Sequence, residues 1–373
     1  MCLRCALMAL PERFSGVLSG LIEDLKAREA VLGFGLFGSW SRGDATPASD
    51  VDLLVVESRE YDYDYDERIE LNGCLLDLNY VSKYWITKMP PEMDQKIYEM
   101  KILFDRDGSL TKAKNLMSRI YWKPERIELR TESYLFEADS YLSRARQAFN
   151  RGDYRSAKVN AIRSFWAAAK ILIEVGRRLI LNSSFIRSLE SACKSLDMYA
   201  FYRSYIETAG FDKLSKNDVK LMLDSLLSAW EGIMKFTAAI PQMPKDAHPK
   251  FSAKLNYYGR ESFIRGLKAK INDLLETSLV ESANYIFHTS MDALESYVYI
   301  ASILEGVRFD YATILKHLSE LKRSPSGVYY GVIRTLRVED ISDKEAENAL
   351  KTVANAVLDV RQKRKELIAR LSS

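Results

Sequence analysis

Residues 38–56 read GSWSRGDATPASDVDLLVV and place Asp50 and Asp52 one residue apart, directly before four aliphatic residues, Leu53 to Val56. A short aliphatic run of this kind predicts a buried strand. Strand side chains alternate between faces, so Asp50 and Asp52 share one face and Val51 takes the other. Ionised carboxylates are costly to bury unless a positive group meets them. The stretch therefore requires a sheet that fixes two carboxylates and a cation that offsets them.

The surrounding sequence supplies a sheet. Residues 11–29 carry Phe14, Val17, Leu18, Leu21, Ile22 and Leu25 at helical spacing. VLGFGLFG (31–38) is a short strand closed by glycine, and Ser39 to about Arg42 opens a short helix. Residues 67–81 form a hairpin about Asn72-Gly73, the pair that supplies the positive φ angles of a tight turn. MDQKIYEM (93–100) is a short helix and KILFD (101–105) a further strand. YDYDYDE (61–67) lacks the glycine and ligand spacing of a calcium loop, and reads as a strand end or loop.

Asp77 interrupts the apolar run that leaves the Asn-Gly turn. If its strand lies beside 50–56, three carboxylates meet at one point. Like charges about 4 Å apart repel by several kcal/mol at intermediate dielectric. Divalent cations with hard oxygen ligands resolve that repulsion. Gly38 lets backbone approach a phosphate closely, and Ser39 begins a helix whose free N–H groups attract anions. Arg42 adds a positive fork. Gly43 releases the chain from the helix, and Ser49 orients the carboxylates by local hydrogen bonding. Trp40 reads as packing against the sheet rather than against a base.

Gly38-Ser39, Arg42-Gly43, Ser49-Asp50-x-Asp52 and Asp77 together resemble the DNA polymerase beta-like nucleotidyltransferase superfamily, in particular its minimal and kanamycin-type members. The resemblance covers roughly residues 30–106. It implies that Gly38 and Ser39 hold a triphosphate and that Asp50, Asp52 and Asp77 bind two Mg²⁺ ions, with Asp77 helping to activate the attacking hydroxyl. The implied reaction moves a nucleoside monophosphate from an NTP, ATP by preference, to a hydroxyl and releases pyrophosphate. In antibiotic-modifying members a glutamate of the helical domain is the general base, which makes Glu132 and Glu137 candidates.

From about residue 121 the texture is helical. Residues 132–180 read as two amphipathic helices joined at Gly152-Asp153, with helices at about 183–195, 197–208 and 215–238. IPQMPKDAHP (240–249) is the clearest linker, and 260–321 and 343–371 are again helical. The expected class is α+β: a mixed-sheet nucleotidyltransferase domain over 1–120, a helical bundle over 121–240 and a C-terminal helical domain over 250–373. The last is read as a dimerisation surface or a substrate-recognition domain, its Tyr285, Phe287, Leu294, Tyr297 and Tyr299 as core.

Charge is uneven. Residues 1–120 hold 15 Lys and Arg against 20 Asp and Glu, a balance of −5, and the remainder holds 39 against 31, a balance of +8. An acidic first domain suits a cation site, and a mildly basic remainder suits solvated helix faces or, less directly, RNA. Four scattered cysteines and the lack of a secretory pattern point to the cytoplasm. Cys2-x-x-Cys5 has no second pair to complete a zinc site. The three histidines, His248, His288 and His317, lack the upstream arginine of the helical RNase that accompanies minimal nucleotidyltransferases. The leading expectation is transfer to a small molecule such as an aminoglycoside-like compound. The alternatives are an RNA 3′ end, a protein side chain, or a non-catalytic module that senses nucleotide.

Overall fold

The computed structural model describes residues 12–372; Cys2 and Cys5 lie outside them. Helix α1 (Glu12–Ala27) buries Leu18, Leu21, Ile22 and Leu25, the later part of the stripe its periodicity predicts; the side chains of Phe14 and Val17 lie outside what the structure describes. Strand β1 (Val31–Phe37) leads into the short helix α2 (Gly38–Arg42). Next come β2 (Val51–Glu57), β3 (Tyr65–Leu71) and β4 (Cys74–Ser82). Helices α3 (Lys83–Lys88) and α4 (Asp94–Glu99), strand β5 (Lys101–Asp105) and helix α5 (Ser109–Ile120) complete this part.

The five strands form one mixed sheet in the order β3-β4-β2-β1-β5. Only β2 and β4 pair in parallel, and their register sets Asp52 beside Asp77. Val51, Leu53 and Val55 join Leu76, Leu78 and Tyr80 in a core packed under α1. Asp52 and Asp77 occupy the alternating positions and so face away from that core. Asn72 (φ 51°) and Gly73 (φ 73°) make the two-residue hairpin turn.

The chain divides into two compact units. The first takes the described residues up to Lys123 together with Asn256–Lys270; the second takes Pro124–Leu255 and the residues from Ile271 on. Residues 256–270 join the first unit because their side chains engage the β3–β4 hairpin. Arg260 donates to the Arg68 carbonyl, and Arg265 pairs with Glu70.

The second unit is helical. Helices α6 (Pro124–Asn150) and α7 (Tyr154–Val175) pack through Ala138, Leu142 and Ala145 against the small-residue face of α7. Asp153 caps α7 by accepting from the Ser156 N–H at 3.1 Å. A buried ion pair, Arg130–Glu174 at 2.8 Å, and a partly buried one, Arg163–Glu295 at 2.5 Å, tie it internally. Phe287, Leu294 and Tyr297 are core, whereas Tyr285 and Tyr299 are only half-buried. No helix among the described residues is long and apolar enough to cross a membrane.

Candidate active site

The β2–β4 register brings a ligand oxygen from each of Asp50, Asp52 and Asp77 within 4.8 Å of the others. The positive group that the sequence left unnamed is Arg68. It stands on β3 directly opposite Asp77. Its Nη2 donates to Asp50 Oδ2 at 2.5 Å, and its Nε donates to Asp77 Oδ1 at 2.6 Å. A second bond joins Nη2 to Asp77 Oδ2 and makes that pair bidentate. Burial works against the Arg68 charge, but the Asp77 hydrogen bond and the two carboxylates outweigh it and keep the guanidinium charged.

One arginine does not balance three carboxylates. Asp52 accepts no hydrogen bond among the described residues. Burial pushes its carboxyl well above the ordinary range, and the charges of Asp50 and Asp77 push the same way. Burial likewise raises Asp77 to about 6, against the lowering effect of Arg68. A carboxylate without donors, in a group with two uncompensated negative charges, is the donor set a hard divalent cation fits.

Tyr257 is the second residue that sequence reasoning missed. Its hydroxyl donates to Asp77 Oδ2 at 2.9 Å. Burial, then the Asp77 charge, holds the phenol protonated well beyond its usual range. The Arg68 guanidinium lies over the Tyr257 ring at 5.1 Å and over Phe263 at 5.3 Å.

On the other side of the triad, Gly38 has φ 73°, and a Cβ there would collide with the Asp52 carboxylate. Glycine is required twice over, by conformation and by space. Ser39 turns its carbonyl to the N–H groups of Gly43 and Asp44, at 2.8 and 3.2 Å. Gly43, at φ 87°, ends α2 as its sequence position predicts.

The phosphate role read for Arg42 meets a different arrangement. Its Nη1 donates to Glu99 Oε2 at 2.7 Å, and its Nε to Asp44 Oδ2 at 3.2 Å. The Gly38 N–H donates to the other Glu99 oxygen at 3.1 Å. An acidic side chain from the end of α4 thus already meets two of the donors assigned to a triphosphate. Ser49 also differs, since its Oγ accepts from the Thr46 N–H at 2.9 Å and pins the loop before β2 rather than a carboxylate. Trp40 packs against the sheet core, and its indole N–H donates to the Ser49 carbonyl at 3.4 Å.

Glu132 and Glu137, expected as candidate bases, stand in the second unit as ion-pair partners. Arg364 holds Glu132 at 2.9 Å and Lys170 holds Glu137 at 2.7 Å.

Residues 18–103 match the model of the nucleotidyltransferase domain family. This part of the chain is a polymerase beta-like nucleotidyltransferase domain. A solved structure, a nucleotidyltransferase-like protein from Exiguobacterium sibiricum, is similar over 73% of this chain and 77% of its own, at 16% identity and a TM-score of 0.33. No curated protein matches the chain. The nucleotidyltransferase domain supports nucleotidyl transfer as the general activity, and the match spans Asp52 on β2, Asp77 on β4 and Asp50 immediately before β2.

Arg68 was legible in principle. A two-residue turn at 72–73 pairs residue 71 with 74 and therefore 68 with 77. Glu99 and Tyr257 carried no such signal, because sequence separation says nothing of their approach.

Proposed function

We propose that this protein is a Mg²⁺-dependent nucleotidyltransferase that moves a nucleoside monophosphate, with ATP as the preferred donor, to a hydroxyl acceptor. The observation that carries the reading is the convergence of Asp50, Asp52 and Asp77 within 4.8 Å, with one arginine among them. Bound Mg²⁺ supplies charge neutralisation at the triphosphate and lowers the pKa of the attacking hydroxyl.

The protein's own residues do the rest. Asp50 and Asp52 project from one strand edge and hold fixed oxygens toward the cation position. Asp77, in hydrogen-bond reach of an acceptor, takes the hydroxyl proton. Gly38, having no Cβ, lets the backbone lie against the Asp52 carboxylate. Arg68 holds Asp50 and Asp77 in register and lowers the repulsion between them. Catalysis of this kind is mainly positioning and charge stabilisation.

Two acceptor classes follow from the sequence, a small-molecule hydroxyl and a macromolecular one. The tyrosyl hydroxyl on Asp77 favours a protein side chain over an aminoglycoside-like compound.

A screen with each α-labelled NTP, Mg²⁺ and a pool of RNA, protein and aminoglycosides tests the reading. The wild-type chain is expected to label one fraction. Asp52→Asn is expected to lose transfer by at least about a hundredfold while keeping its circular dichroism spectrum. Full activity of a folded Asp52→Asn variant would overturn the assignment.

A further inference from the structure

We propose that the acceptor hydroxyl is Tyr257 of this same chain, so that the domain nucleotidylates itself. The inference rests on the transferase reading above and names its acceptor. A general base must lie within hydrogen-bond reach of the proton it removes. Among the described residues, Tyr257 supplies the hydroxyl whose hydrogen bond ends on the triad, 2.9 Å from Asp77 Oδ2.

The phenol is held there. Its ring packs edge-on against Tyr258 and Phe263, with centroids 5.2 Å away in each case. Arg68, itself fixed by Asp50 and Asp77, lies over the ring. Arg260 and Arg265 fasten the same segment to β3 through the Arg68 carbonyl and Glu70. Gly266 permits that close approach: a Cβ at this position would lie 2.8 Å from a Leu75 methyl and 2.9 Å from Arg68 Nη1. Five side chains and one glycine thus bring an aryl hydroxyl to the carboxylate group.

The step balances without a further reagent beyond a nucleoside triphosphate. The Tyr257 oxygen forms a bond to the α-phosphorus. The bond from that phosphorus to the oxygen bridging to the β-phosphate breaks, and its electron pair leaves on pyrophosphate. The phenolic proton passes to Asp77. The product is a phosphodiester between Tyr257 and the nucleoside, and it fills the acceptor position, so each chain reacts once.

The test uses the full chain with Mg²⁺ and each of the four α-labelled triphosphates, with and without the acceptor pool. The expected result is a mass increase of one nucleoside monophosphate, mapped to Tyr257 by peptide fragmentation. One pyrophosphate is released per adduct, at a first-order rate unchanged on dilution. Gly266→Ala, which keeps the Tyr257 hydroxyl and the three carboxylates chemically intact but displaces the segment that carries Tyr257, is expected to slow adduct formation roughly tenfold to a hundredfold. Mapping in the wild-type chain decides the matter whatever the stability of that variant. Label on an added acceptor or on another residue, with Tyr257 unmodified, overturns this inference and leaves the transferase reading standing. Absence of label on every acceptor and on the chain itself overturns both.

Discussion

Gly38 and Gly43 look equivalent in the sequence, since each is a glycine at an end of α2. Their surroundings separate them. Both have positive φ, 73° and 87°, which costs an L-residue roughly 1–2 kcal/mol. Only at Gly38 does a Cβ meet anything, and it meets the Asp52 carboxylate; around Gly43 there is open space. Gly38→Ala is therefore expected to weaken Mn²⁺ binding by about tenfold or more, because a displaced Asp52 no longer converges with Asp50 and Asp77. Gly43→Ala is expected to lower the melting temperature by a few degrees, at about 1 kcal/mol, and to leave the Mn²⁺ titration unchanged. Equal Mn²⁺ affinity in the two variants would remove Gly38 from the site. At this scale the sequence revealed the acidic residues better than the basic ones. The alternation of Asp50, Val51 and Asp52 is local, so strand periodicity was enough to read it. The partners of Arg42 were not legible, because Glu99 approaches from a helix more than fifty residues on.

The hairpin is the element on which the site depends. The Asn72-Gly73 turn sets a register that carries Arg68 to Asp77, and parallel pairing with β2 carries Asp77 to Asp52. Slipping that register by one residue would turn Asp77 into the core and Leu78 out of it. Arg68 is buried to 3% exposure, whereas Asp50 keeps 37% of its side chain exposed. The bidentate Asp77 arm therefore dominates, and the Asp50 arm is discounted for solvent screening. Removing the buried cation leaves the buried Asp77 without its bidentate partner and Asp50 without its ion pair, a loss that typically costs about 3–5 kcal/mol for a buried pair. Arg68→Met is thus expected to melt lower than the wild type in chelator. It is also expected to gain more from added Mg²⁺, since the ion then replaces the missing charge. A Mg²⁺-induced rise in melting temperature no larger than that of the wild type would show that Arg68 and the cation do not share the carboxylates. The hairpin's existence was readable from its turn chemistry. That its outer strand supplies the counter-charge follows from the same turn, once the register is counted outward from it.

For the molecule as a whole, the contrast between an α/β start and a helical remainder was written in the hydrophobic periodicity. The assignment of residues 256–270 was not, because a helix that leaves its neighbours in sequence to pack elsewhere has the same period as one that stays. Those residues shelter the Arg68 guanidinium between Tyr257 and Phe263, with Phe263 itself only 6% exposed. Burial of a phenylalanine contributes about 1.5–3 kcal/mol, and the guanidinium–aromatic contacts add roughly 1–2 kcal/mol when desolvated. A fragment ending at Lys123 loses all of this and exposes Arg68 and Leu75 to water. It is expected to melt well below the Mg²⁺-responsive transition of the full chain and to be cut earlier by protease in the hairpin. A synthetic peptide spanning 256–270 is expected to restore part of the difference, with Tyr257→Phe in that peptide restoring less. A fragment as stable as the full chain's metal-responsive unit would mean that the distant segment only rests on the hairpin. A lower midpoint that the peptide raises would mean that the nucleotidyltransferase domain is completed by chain lying far beyond residue 123, which is also where its proposed acceptor resides.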